Sequence, residues 1–203
     1  MRGHASGWIA RGARRHVFVT ICAAALAGCA SVPRTQAEIE AAGSSGFELA
    51  GRLSARSGDA AATANFRWTH RSDRDELVLS TPLGQTLAQL DGDPARVRLE
   101  LPDGRIAQAP DWETLTNEAL GAPIPVRGLA WWVRGLPHPG TEHSIERDAD
   151  ARIAVLRQDG WEIVYSYGGA GALASRLRLA FGEVEIRLAL DSFVALPPLS
   201  SRR

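Results

Sequence analysis

The sequence predicts a mainly β protein, an incomplete antiparallel barrel with a helical plug or lid, on three observations. Apolar residues recur with period two through most of the chain after residue 46. Clusters of turn-forming residues separate these runs at short spacing. In the middle of the chain, two stretches switch to a helical period. Together these describe strands joined by hairpins, interrupted once by helices that need an apolar surface to cover.

The alternation starts with Phe47, Leu49, Gly51 and Leu53, which interleave with Glu48, Ala50, Arg52 and Ser54. Ala64, Phe66 and Trp68 repeat it, as do Val97, Leu99 and Leu101. So do Trp161, Ile163, Tyr165 and Tyr167, then Leu177, Leu179 and Phe181, and finally Val184, Ile186, Leu188 and Leu190. One apolar face and one wet face mark an antiparallel strand, since parallel strands are covered on both sides and read as continuous apolar runs. The connectors "RSDRDE", "DGDP", "PDGR", "QDG" and "GGAG" are hairpin chemistry, so a meander is expected. In the interruption, "APDWETLTNEALG" offers Asp111 as an N-cap, Trp112, Leu115 and Ala119 near helical spacing, and Gly121 just past the end. "PIPVRGLAWWVRGLP" starts a second helix at Pro125, places Leu129, Trp132 and Val133 on one side, and stops at Gly135 and Pro137. The concave side of a curved sheet is the surface both helices can bury against.

The first residues carry Arg2, Arg11, Arg14 and Arg15 and no acid, followed by the apolar stretch "VFVTICAAALAG". A basic start and an apolar segment too short to span a bilayer read as a secretory signal over residues 1–28. Its end, "LAGC", resembles the bacterial lipobox, which implies cleavage before Cys29 and acylation of that residue. Several acyl chains on one residue anchor firmly, because each buried CH₂ contributes about 0.8 kcal/mol. Ala30 and Ser31 follow, where Asp would be the usual signal for retention at the inner membrane, so the outer membrane is the expected destination. Residues 29–46 are the lipidated end and a polar, Ala-rich spacer, and residues 47–203 the folded domain. Cleavage removes four of the 23 basic residues and none of the 23 acidic ones, leaving a net charge of about −4 and no strongly basic character for nucleic acid. Cys22 lies in the signal, so no disulfide or thiolate chemistry is expected.

No catalytic, metal or cofactor constellation stands out. His70 in "THRSDRDE", His138 in "PHPG" and His143 read as solvent-exposed loop residues, and the acids of "DRDE" and "DGD" as solvated charge. There is no nucleophile elbow, phosphate loop or zinc-binding helix motif. Aromatic residues are the prominent feature. Trp68, Trp112, Trp131, Trp132 and Trp161, with Phe66, Tyr165 and Tyr167, suit an ordinary core and equally a pocket for a long apolar ligand. The turn "STPLGQT" holds Leu83 between Pro82 and Gly84, where a polar residue is usual. That leucine either folds back over the end of the barrel or projects as an apolar probe.

After the lipobox, "FELAGRLSA", "ANFRWTH", "LVLSTPLGQTLAQL", "PIPVRGLAWWVRGLP" and "DGWEIVYSY" together resemble the LolB family of outer-membrane lipoproteins, over about Phe47 to Asp191. The resemblance implies a half-open antiparallel β-barrel of the LolA/LolB type with a helical lid over an apolar cavity. It implies receipt of lipoproteins from the periplasmic carrier LolA, binding of their acyl chains, and insertion into the outer membrane by a single copy that is itself held there through Cys29. Phe66, Trp68, Trp132, Trp161 and Tyr165 become the expected cavity residues, and Pro82, Leu83 and Gly84 the membrane-insertion loop. Two departures stand near the C-terminus: Phe193 where the family often has Trp, and "GALASRLRL" without the usual Pro. A second reading keeps the same barrel as a lipid- or partner-binding envelope lipoprotein that transfers nothing.

Overall fold

The computed structural model describes residues 46–72, 74–93, 95–120, 123–169 and 173–197. The expected signal, Cys29, the spacer up to residue 45 and Gly121 lie outside them. Eleven strands form one antiparallel sheet: β1 (Gly46–Ser57), β2 (Ala60–Arg71), β3 (Arg74–Ser80), β4 (Thr86–Gly92), β5 (Val97–Glu100), β6 (Ile106–Ala109), β7 (His143–Arg147), β8 (Ile153–Gln158), β9 (Trp161–Ser166), β10 (Arg176–Phe181) and β11 (Val184–Leu196). Two helices, α1 (Trp112–Leu120) and α2 (Val126–Trp132), fall between β6 and β7.

The strand order is β6-β5-β4-β3-β2-β1-β11-β10-β9-β8-β7. Each half is a meander, and the first and last strands join the halves by pairing from Gly46↔Leu196 to Ser57↔Val184. β6 and β7 are therefore the two free edges, and the sheet stays open. Both edge strands lack the alternation seen elsewhere, because most of their side chains are exposed and only one face of a short segment meets the core.

Local chemistry fixes the turns. In "DGDP" and the residues after it, the Asp93 carboxylate accepts the amides of Ala95 and Arg96 at 2.8 and 3.1 Å. In "PDGR", Asp103 accepts the amide of Arg105 at 3.1 Å. α1 starts as expected: Asp111 accepts the Thr114 amide at 2.7 Å, and hydrogen bonds from the Thr114 side chain and backbone hold its carboxyl below the usual range. Thr116 ties the helices together, donating to the Trp112 carbonyl at 2.8 Å and accepting the Ile124 amide at 2.7 Å.

α1 reaches the sheet at a glycine. A Cβ on Gly92 would lie 2.5 Å from Trp112 Cζ2 and 2.6 Å from Val97 Cγ1. The seat of Trp112 depends on that missing side chain. Gly92→Ala is therefore expected to lose about 1–3 kcal/mol, the usual range for overpacking, with a change in tryptophan emission as Trp112 is lifted. Urea unfolding checks it, and an unchanged midpoint would show that α1 shifts freely.

Several residues of the fold differ from expectation. Phe181 belongs to an inward-facing set but is 42 % exposed, stacked on Trp161 at the hairpin end with 5.4 Å between centroids. His70 and Asp75, expected in a solvated turn, are only 8 and 7 % exposed. The β2–β3 hairpin is shorter than its polar sequence suggests, so the two residues face each other across the strands on the inner side. His138, read as a solvent-exposed loop residue, is half-buried in its loop, and His143 is exposed but begins β7 instead of lying in a loop.

Candidate functional site

A cavity of about 920 Å³ lies between the inner face of β1–β6, the start of β11, and the two helices. Phe66, Trp68, Leu77, Leu79, Leu90 and Leu99 wall it from the sheet, and Trp112, Leu115, Val126 and Leu129 from the helical side. Leu87 and Ile106, both exposed, mark its rim, where Arg105 and Glu118 also stand. The volume is near the top of the roughly 300–1,000 Å³ range of ligand sites. An apolar wall with charge confined to the rim suits a hydrocarbon ligand whose polar end stays outside.

The deepest aromatic is held by a buried polar cluster. Trp68 Nε1 donates to Asp75 Oδ1 at 2.8 Å, and the same oxygen lies 2.8 Å from His70 Nδ1. Phe47 packs edge-on against Trp68 at 4.9 Å. The Arg134 guanidinium lies 5.5 Å over the Phe47 ring and 5.2 Å over Trp131. Burial pulls its pKa down to about 10, opposed by the nearby Asp75 charge, so it remains a cation at neutral pH. The hydrogen bond to Asp75 fixes the indole edge of a residue that lines the cavity.

Of the five residues expected on the wall, Phe66 and Trp68 line this cavity and Trp132, Trp161 and Tyr165 do not. Those three pack α2 onto the other half of the sheet. Trp132 is fully buried, donating from Nε1 to Gln158 Oε1 at 3.0 Å, while its carbonyl accepts the Tyr165 hydroxyl at 3.0 Å. Burial pushes the Tyr165 phenol well above its ordinary pKa. Trp161 sits 6.3 Å from Trp132. The barrel is thus hollow on the β1–β6 side and solid beside β8–β10. Leu77 and Leu79 on the wall had a legible signal, alternation within "ELVLS", masked by the apolar Val78 facing outward.

The 81–85 turn is closed by its own backbone. The Gly84 amide donates to the Thr81 carbonyl at 2.9 Å, the Thr81 amide to the Gln85 carbonyl at 2.8 Å, and the Gln85 amide to Thr81 Oγ1 at 3.1 Å. Gly84 has φ 85°, a left-handed conformation that a side chain would disfavour. Leu83, between this glycine and Pro82, is 91 % exposed. It projects.

Residues 45–193 match the family described as "Outer membrane lipoprotein LolB". The chain belongs to the LolB family. An outer-membrane lipoprotein LolB of Thiobacillus denitrificans is 39 % identical over 185 residues, 91 % of this chain and all of that one. The LolB of Chromobacterium violaceum is 41 % identical over 151 residues, 73 % of this chain and 81 % of that one. Among solved structures, a LolA-superfamily protein from Nitrosomonas europaea is similar at 9 % identity and a TM-score of 0.48, over 83 % of this chain and 96 % of that one. Phe193, one of the two departures noted in the sequence, stacks on Phe47 with 5.4 Å between centroids.

Proposed function

We propose that this chain is the outer-membrane acceptor for lipoproteins, taking their acyl chains from LolA into the cavity and releasing them into the bilayer. Acylated Cys29 holds it on the periplasmic leaflet. The observation that carries the reading is the 920 Å³ apolar cavity roofed by α1 and α2. A free acyl chain in water costs about 0.8 kcal/mol for each exposed CH₂, so a lipoprotein cannot cross an aqueous compartment uncovered. The sequence carries no nucleotide-binding motif, so transfer runs downhill: the cavity takes the chains from the carrier, and the bilayer takes them from the cavity. The chains move whole and no covalent step is needed. A single chain supplies the wall, so one copy suffices.

Protein purified from the envelope tests the reading. Its mass is expected to correspond to a chain beginning at Cys29 with added acyl groups. Mixed with lipoprotein-loaded LolA and liposomes, it is expected to acquire the cargo and pass it on. An unmodified N-terminus would remove the anchor from the proposal. Cargo left on LolA, with no saturable displacement of an apolar dye by a diacylated peptide, would favour the non-transferring structural lipoprotein.

A further inference from the structure

On the outer face of the sheet, across β1, β2 and β11 from the cavity, runs a groove of about 560 Å³. Short side chains such as Ser54 and Ala189 leave it hollow, and Arg52, Arg176, Arg178 and Arg187 line it. The register explains the grouping. Arg52 and Arg176 both pair with Ala189 and flank it from neighbouring strands, about 10 Å apart at two strand spacings. One step along, Arg178 and Arg187 are directly opposed. Like charges in that position repel, and a nearby anion relieves the repulsion.

The protein's own anions answer that need weakly. Arg52 meets Asp191 at 3.3 Å, Arg178 meets Glu162 and Glu185 at 3.6 Å each, and Arg187 meets Glu185 at 2.7 Å. These pairs are largely solvent-exposed, the kind that contributes little and exchanges readily. Among the described residues no acid lines the groove, and Arg176 has no ion-pair partner. The domain is acidic over its expected mature length, whereas here four arginines outnumber the three acids they meet. All 23 basic residues of the chain are arginine, whose planar guanidinium binds phosphate through two parallel hydrogen bonds.

The groove also has a neighbour. Pro82 forms part of its lining, and Asn65 Nδ2 donates to the Thr81 carbonyl at 3.4 Å, tying the Leu83 turn to this outer face. The naked leucine and the arginines therefore belong to one surface. We propose that this surface docks on the bilayer, the arginines taking lipid phosphates while Leu83 enters the acyl boundary. Docking by the outer face leaves the cavity on the inner side open to the carrier.

The inference rests on the delivery reading above, but its readout needs no cargo. Lipid-anchored protein carrying Ser54→Cys, labelled in the groove with an environment-sensitive fluorophore, is reconstituted on phosphatidylcholine vesicles with or without phosphatidylglycerol. The emission is expected to rise with the phosphatidylglycerol fraction and fall with salt. In Arg52→Gln/Arg176→Gln the apparent response is expected to weaken by about tenfold or more, while cargo uptake from LolA stays at the parent level. Three results would overturn it: no response to the anionic lipid, a double variant that responds like the parent, or a response produced by inorganic phosphate alone. A response that appears only with LolA would reassign the face to a protein partner. Failed cargo transfer with the lipid response intact would instead count against the acceptor function.

Discussion

Leu83→Glu is expected to give a protein that melts with the parent and accepts cargo from LolA, but delivers it at least tenfold more slowly. The side chain is 91 % exposed and its turn is held by backbone hydrogen bonds from Thr81, Gly84 and Gln85. Nothing in the fold depends on what it carries, so stability should change by no more than about 0.5 kcal/mol. The cavity wall is made by other residues, so uptake is untouched. Delivery differs because, on the proposed reading, the tip enters an apolar phase. Exchanging a leucine for a carboxylate there costs roughly 3 kcal/mol at full depth, which is about two orders of magnitude in rate. A tip that enters only partly would feel less, hence the tenfold floor. Leu83→Met should deliver normally, since it keeps the apolar tip. A Leu83→Glu protein that unfolds early, or inserts cargo at the parent rate, would show that this turn is not the membrane probe.

The parts of the fold that were legible are those whose pattern comes from one-sided burial. β1, β2, β9, β10 and β11 each alternate because one face meets the interior and the other meets water. β6 and β7 escape that logic because they are edges with little to bury. The plug helices were legible from caps and spacing, and Asp111 does what its position predicts. What composition cannot supply is which aromatic faces a void. Trp68 and Trp132 are both almost wholly buried, and both donate to a buried polar side chain. The hollow and solid halves of the sheet are set by where α1 and α2 come to rest, a tertiary outcome that no local signal encodes. The buried His70–Asp75 pair was hidden for a related reason: pairing that continues to Arg71↔Arg74 carries part of a polar stretch from loop into strand.

Trp132→Ala is expected to unfold the domain far more than it weakens cargo binding. The residue, the last of α2, is fully buried and bonded to the β8–β9 hairpin, and its loss leaves a void and strips the Gln158 side chain of one donor. Large-to-small changes of this kind cost about 3–5 kcal/mol, roughly 10 °C in melting temperature for a domain of this size. Gln158 also accepts the His138 amide at 2.7 Å and donates to the His138 carbonyl at 2.6 Å, so the loop after α2 loosens with it. Measured where both proteins remain folded, the affinity for an acyl ligand should be close to the parent's, because Trp132 does not line the cavity. Trp68→Phe should do the reverse. It withdraws the indole donor from Asp75, a loss of about 1–3 kcal/mol for a buried acceptor left short of a partner, and it reshapes the cavity wall directly, so affinity should move with it. Should Trp132→Ala abolish binding while the melt barely shifts, the solid half of the barrel would have to open to admit the ligand, and the assignment of the hollow half as the acyl site would fail.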